Sequence, residues 1–125
     1  MFDLSELEDA ARLIHQAMPP TPQYAWPALA ARVGTEVWVK HENHTPTGSF
    51  KVRGALTFAD WMTRTQPDSP GVITATRGNH GQGQAMAARA SGRRAVIYAP
   101  HGNSSEKNPL KSLHILAIFT NNISK

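Results

Sequence analysis

The residues with chemistry to offer centre on Lys51. Thr45-Pro46-Thr47-Gly48-Ser49-Phe50-Lys51-Val52-Arg53-Gly54-Ala55 runs from a short apolar strand into an Ala-rich helix. A lysine in the first turn of a helix sits at the positive end of the macrodipole, where acidic side chains are preferred. A local rule broken without structural gain marks a place where function is expected. An amine held there, behind a Gly-containing turn that lets another molecule approach closely, suits imine formation with a carbonyl. The dipole alone does not activate such an amine. It contributes about 0.3–1 kcal/mol, whereas bringing an ammonium from a pKa of ~10.4 to about 7.5 takes roughly 4 kcal/mol. Burial or a bound cofactor must supply the rest.

A second constellation is Thr74-Ala75-Thr76-Arg77-Gly78-Asn79-His80-Gly81-Gln82-Gly83. A Gly-rich turn between strand and helix directs free backbone N–H groups at an anion. Gly81 and Gly83 each cost about 1 kcal/mol of helix stability relative to Ala, so a close ligand or a close backbone is expected to require them. The glycine order G-x-x-G-x-G is not a dinucleotide fingerprint, and the G-K-[ST] ending of a P-loop is missing. Taken alone, the segment fits an anion site and a plain helix cap equally well. His41-Glu42-Asn43-His44 invites a metal reading, but its histidines are three apart at a strand end, not four apart on a helix. They read instead as solvent-facing polar residues. Trp26, Trp38, Trp61 and Phe58 read as core or rim packing.

These groups must be positioned by a short chain. Its 125 residues fit one modest domain. The absence of cysteine excludes disulfides, thiolate metal sites and thiol nucleophiles. No stretch approaches the ~18 apolar residues of a membrane span, and the acidic start Met1-Phe2-Asp3-Leu4-Ser5-Glu6 lacks the order of a signal peptide. A cytoplasmic setting without membrane contact is the expectation. The net charge of +4 is spread over scattered Lys and Arg residues, the longest run being Arg93-Arg94. No aromatic residues interleave with them as a nucleic-acid platform requires, so a basic binding module is the lesser alternative.

Ser5-x-x-Glu8 reads as a capping box for a helix at about 6–17 that ends at Pro19-Pro20. Pro27 and Gly34 bracket a second, short helix. Glu36 to His41 reads as a strand, and a helix at about 49–63 carries Lys51. Val72-Ile73-Thr74-Ala75 reads as a short buried strand, followed by a helix opened by Gly78–Gly83 that runs to Gly92, and by a strand at Ala95–Pro100. Asn103-x-x-Glu106 reads as a further helix start, and Leu116 to Phe119 can serve as a strand. This alternation predicts an α/β fold with a parallel sheet and crossover helices.

Together, Lys40-His41-Glu42-Asn43, Gly48-Ser49-Phe50-Lys51-Val52-Arg53-Gly54-Ala55 and Ala75-Thr76-Arg77-Gly78-Asn79-His80-Gly81-Gln82 resemble the serine/threonine dehydratases, pyridoxal-phosphate enzymes of the tryptophan-synthase-β-like fold (fold type II). The resemblance covers residues 20–113 and includes Pro100 to Asn108. The Arg-Gly-Ala extension after Lys51 favours the dehydratase branch over cysteine and threonine synthases.

The resemblance implies pyridoxal 5'-phosphate as cofactor, an amino-acid substrate, and homo-oligomeric full-length relatives. Lys51 would hold the cofactor and move the substrate's α-proton, Phe50 would pack beside the ring, and Asn79 would hydrogen-bond its hydroxyl. Thr76, Arg77, Gly78, Asn79 and His80 would bind the substrate carboxylate, although Arg77 replaces a small residue. Residues 1–50 would belong to the large cofactor domain and 51–113 to the small one, leaving 114–125 as a tail outside the match. The tail holds Ile115, Ile118 and Ile123 against three isoleucines in all of 1–114, and the resemblance stops before the family's phosphate-binding loop. The expectation is a truncated or frame-shifted N-terminal part that is itself inactive and at best marginally folded.

Overall fold

A computed structural model describes residues 2–100 and the backbone of a strand at 115–120. The segment Asn103-x-x-Glu106 and the rest of the motif beyond Pro100 lie outside the described residues.

Helix α1 spans Leu4–Ala17. Its cap is Asp3, whose carboxylate accepts from the Glu6 backbone N–H while the Glu6 side chain accepts from the Asp3 N–H at 2.9 Å. This corrects the expected Ser5–Glu8 box. Two overlapping boxes compete, and the earlier one puts a full negative charge at the helix start. The Ser5 hydroxyl serves it by donating to Asp3 Oδ1 at 2.8 Å.

Strand β1 (Gln23–Ala25) pairs antiparallel with β2 (Trp38–Lys40), with Tyr24 opposite Val39. Between them lies α2 (Pro27–Val33), with Pro at its start and Gly34 at φ +74° beyond its end, as its punctuation predicts. β2 is shorter than the expected 36–41. β1 is an addition to the expected elements, because Pro22 and Pro27 bracket it and prolines argue against a strand. At the sheet's edge they are harmless: Pro22 needs only its carbonyl, which accepts from His41 N–H at 2.9 Å.

After a single 3-10 turn at Glu42–His44 comes α3 (Lys51–Thr65), then β3 (Gly71–Ala75), α4 (Asn79–Ala90) and β4 (Arg94–Pro100). The last strand, β5, is Ile115–Thr120. β3, β4 and β5 form a parallel sheet in that order, with Ile73 opposite Val96 and Ile97 opposite Ala117. β3–α4–β4 is thus a crossover unit of the expected kind.

The core joins Ile14 and Met18 of the first helix and its cap to Val52, Ala55 and Leu56 of α3 and Ala87 of α4. Ala95, Ile97 and Ala99 of β4 are buried at alternate positions. β3 is not the buried strand expected from its composition, since Ile73 is 75% exposed. Its side chain points to a sheet face that no described helix covers. The aromatics divide toward the rim rather than the core. Trp26, Trp38, Trp61 and Phe58 are all exposed. Phe58 and Trp61 stack at 5.6 Å, and Trp26 donates its indole N–H to His41 Nε2 at 3.3 Å. His41 is therefore half-buried and partnered rather than simply solvent-facing.

Candidate active site

The loop before α3 is closed by one hydroxyl. Thr45 Oγ1 accepts the Ser49 N–H and donates to the Ser49 carbonyl, each at 2.8 Å. Gly48 lies at φ +67°, a conformation that favours glycine, and nothing lies within 4 Å of where its Cβ would stand. Ser49 Oγ then accepts the Lys51 backbone N–H at 3.1 Å, satisfying one of the helix's orphan donors. Lys51 is the first residue of α3, and the first turn carries no acidic side chain.

Two residues on, Arg53 grips Glu42 with two bonds, Nε to Oε2 at 2.8 Å and Nη2 to Oε1 at 3.0 Å. The Thr21 hydroxyl donates to Glu42 Oε1 at 2.7 Å, and Lys40 Nζ reaches the Thr21 carbonyl at 3.2 Å. The Glu42 carboxyl is held below the ordinary glutamate value, chiefly by the Arg53 hydrogen bonds. Burial opposes this, while Thr21 and the nearby positive charges assist. Residues from three separate segments thus tie the end of β2 to the start of α3.

Phe50, Lys51, Arg53, Gly54, Ala55, His80 and Gln84 line a cleft of about 390 Å³ between the starts of α3 and α4. Lys51 Nζ stands 4.5 Å from the Phe50 ring centroid. Among the described residues the Lys51 amine has no hydrogen-bond or ion-pair partner, whereas Lys40, the other described lysine, has both. Lys51 is exposed, so the described chain does not itself desolvate the amine.

Gly83 explains why the two helices meet so closely here. A Cβ on it would stand 3.0 Å from the Lys51 carbonyl oxygen and 3.2 Å from the Val52 nitrogen. A Cβ on Gly81 would meet Thr76 Cγ2 at 2.6 Å. Both glycines therefore serve protein packing; of the two roles expected for them, a close backbone is the one found at Gly83.

Of the candidate site residues, Phe50, Lys51 and His80 share the cleft lining; Thr76, Arg77, Gly78 and Asn79 form the turn leading to it. The Gly78 N–H is turned inward to Thr76 Oγ1 at 3.2 Å, while the N–H groups of Asn79 and His80 have no acceptor among the described residues. With no acidic residue in α4's first turn either, two positive helix ends converge near an amine that has no hydrogen-bond or ion-pair partner among the described residues. Sequence reasoning missed Thr21, Glu42, Thr45 and Arg53 as site-building residues. The Ser/Thr-rich turn 45–49 carried a signal for local closure. The Thr21–Arg53 contact, 32 residues apart, carried none. No described cluster of three His, Asp or Glu residues is arranged for a metal ion. No described helix is long and apolar enough to cross a membrane.

Residues 14–114 match the sequence profile of the family described as pyridoxal-phosphate dependent enzyme. The chain belongs to that family. Pyridoxal 5'-phosphate is the family's cofactor, and the expected resemblance holds at this level. The chain is 31% identical over 110 residues to the biosynthetic L-threonine dehydratase of Corynebacterium glutamicum, covering 88% of this chain and 25% of that protein. Among solved structures, the T.th. threonine deaminase superposes with a TM-score of 0.81 at 28% identity, over 98% of this chain and 38% of that one. Serine racemase from Dictyostelium discoideum gives 0.82 at 27% identity, over 93% and 38%. The chain thus spans about a quarter or less of the length of the curated dehydratases it matches, and 38% of each of these two solved chains.

The site suits the aldehyde and ring of that cofactor. Lys51 offers an amine with no carboxylate competing for it among the described residues, in a cleft walled by an aromatic ring and by the small residues Gly54 and Ala55. Two backbone donors at the start of α4 that have no acceptor among the described residues suit a carboxylate.

Proposed function

We propose that this chain is the lysine-bearing N-terminal part of a pyridoxal-phosphate-dependent lyase that converts L-threonine or L-serine to a 2-oxo acid and ammonia. The observation that carries the reading is the Lys51 amine, without a hydrogen-bond or ion-pair partner among the described residues, in the cleft shared with Phe50 and His80. When bound, pyridoxal phosphate supplies the carbonyl for this amine and the ring that takes up electrons as the Cα–H bond breaks.

In this reading the substrate's amine displaces Lys51, whose freed amine takes the α-proton and returns a proton to the departing β-hydroxyl, which leaves as water. The released enamine gains a proton at Cβ, and a second water molecule then replaces its nitrogen, releasing ammonia and the oxo acid. The Asn79 and His80 N–H groups orient the substrate carboxylate, with Thr76, Arg77 and Gly78 shaping the turn. Phe50 borders the ring, and Asn79 offers its amide to the ring hydroxyl. The two separate sheets support a boundary near residue 50, with 1–50 in a cofactor domain and 51–113 in a substrate domain. A cytoplasmic setting and homo-oligomeric assembly of the whole protein go with this reading.

The test is to add pyridoxal phosphate, reduce with borohydride, digest and sequence the modified peptide. Modification at Lys51 is expected. Modification confined to other lysines refutes the assignment.

A further inference from the structure

Among the described residues three polar side chains are buried: Thr21, Thr45 and Ser49, at 6%, 6% and 7% exposure. All three belong to the two networks that flank Lys51. Loops ordinarily lie on the surface, and a buried hydroxyl is unfavourable unless it is hydrogen-bonded. Here a five-residue turn buries two hydroxyls and uses both. Thr45 closes the turn on Ser49 through two bonds, and Ser49 passes that order to Lys51 by accepting its backbone N–H.

The existence of α3 does not need this arrangement. Val52, Ala55 and Leu56 already anchor the helix in the core, whereas Phe50, its formal cap residue, makes no side-chain cap bond. The loop bonds instead determine where the helix begins, and therefore the point from which the Lys51 side chain projects into the cleft.

We infer that Thr45, acting through Ser49, is a positioning residue for the Lys51 amine: its paired hydrogen bonds fix the helix start so that Lys51 projects into the cleft shared with His80. This rests on Lys51 being the imine-forming amine. Substrate and cofactor need not touch Thr45 for its loss to be felt, because a small misplacement of a reacting group is costly in rate.

The test compares the full 125-residue chain with Thr45→Val, which keeps the shape but loses both bonds, and Thr45→Ser, which keeps them. Pyridoxal phosphate and borohydride labelling, read by peptide mass spectrometry, gives the ratio of adduct at Lys51 to adduct at Lys40, an internal control. That ratio is expected to fall about fivefold or more in Thr45→Val and to return in Thr45→Ser. Amide hydrogen exchange at Lys51 is expected to speed up about tenfold in Thr45→Val and to recover in Thr45→Ser. A role confined to overall stability would not change the ratio while the thermal melt is retained.

If Thr45→Val fails to fold, Ser49→Ala decides by the same two measurements, since it keeps both backbone bonds to Thr45 and loses the cap alone. Unchanged ratio and unchanged exchange overturn the inference. If the wild-type chain forms its adduct elsewhere, the functional reading fails instead. Exchange at Lys51 then still decides the positioning role, because it needs no cofactor.

Discussion

Glu42→Gln is the sharpest perturbation of the scaffold around Lys51. The carboxylate accepts two bonds from Arg53 and one from Thr21, and the Glu42 and Arg53 side chains are each 24% exposed. Exposed ion pairs contribute about 0–1 kcal/mol, and breaking a fully buried pair costs about 3–5 kcal/mol. A bidentate pair that is mostly but not wholly shielded belongs between these limits, at about 2 kcal/mol. With a urea dependence of about 1–3 kcal/mol per molar, the denaturation midpoint should drop by about 1 M. The pH dependence carries the same signature. The folded-state pKa of Glu42 lies below its unfolded value, so in acid the unfolded chain binds the extra proton. The contribution is complete above the ordinary glutamate value of about 4.5 and disappears as pH falls through the folded one. The Asp3 carboxyl, lowered chiefly by the Glu6 backbone hydrogen bond, loses its contribution in the same direction, but it is common to both proteins. The stability difference between wild type and Glu42→Gln should therefore be full near neutrality and shrink toward zero in acid. A difference under about 0.5 kcal/mol at neutral pH, or one that does not change on acidification, would show that the Glu42–Arg53 pair does not stabilise the fold.

Two helix glycines should respond with opposite signs. Gly83→Ala must push α4 off the Lys51–Val52 backbone, so overpacking of about 1–3 kcal/mol should exceed the gain in helix propensity of about 1 kcal/mol and lower the melting temperature. Gly54→Ala, with nothing within 4 Å, should raise stability by about 0.5–1 kcal/mol in the same melt. Ile73→Thr, on the uncovered sheet face, should reduce binding of a hydrophobic dye and slow aggregation with little change in the melt; unaltered dye binding would mean that this face is not the exposed surface in solution.

What the sequence reveals and conceals here follows from the range of the forces involved. Helices α2, α3 and α4 and the parallel β3–β4 pair are legible because periodicity, proline at a helix start and glycine past a helix end act over a few residues. The same local logic fails where two local solutions coexist. Asp3–Glu6 and Ser5–Glu8 both fit the capping-box spacing in sequence, and only the charge on Asp3 together with its bond from Ser5 separates them. β1 fails for another reason: proline is excluded from the middle of a sheet, and its sequence does not announce that this sheet has two strands among the described residues, each an edge. Composition misjudges the burial of β3 because an apolar strand is buried only if something covers it, which is a property of the assembly of elements.

The site divides along the same line. Lys51 is conspicuous because it violates a local preference, whereas Glu42, Arg53 and Thr21 each satisfy one. A glutamate at a 3-10 turn, an arginine in a helix and a threonine after prolines draw no notice singly. They become a scaffold only when the fold brings positions 21, 42 and 53 within 2.7–3.3 Å of one another. A reactive group can therefore advertise itself in sequence by the rule it breaks, while the residues that aim it stay hidden because they break none. In this chain buried hydroxyls mark them, Thr21 in the Glu42–Arg53 network and Thr45 and Ser49 in the turn before Lys51.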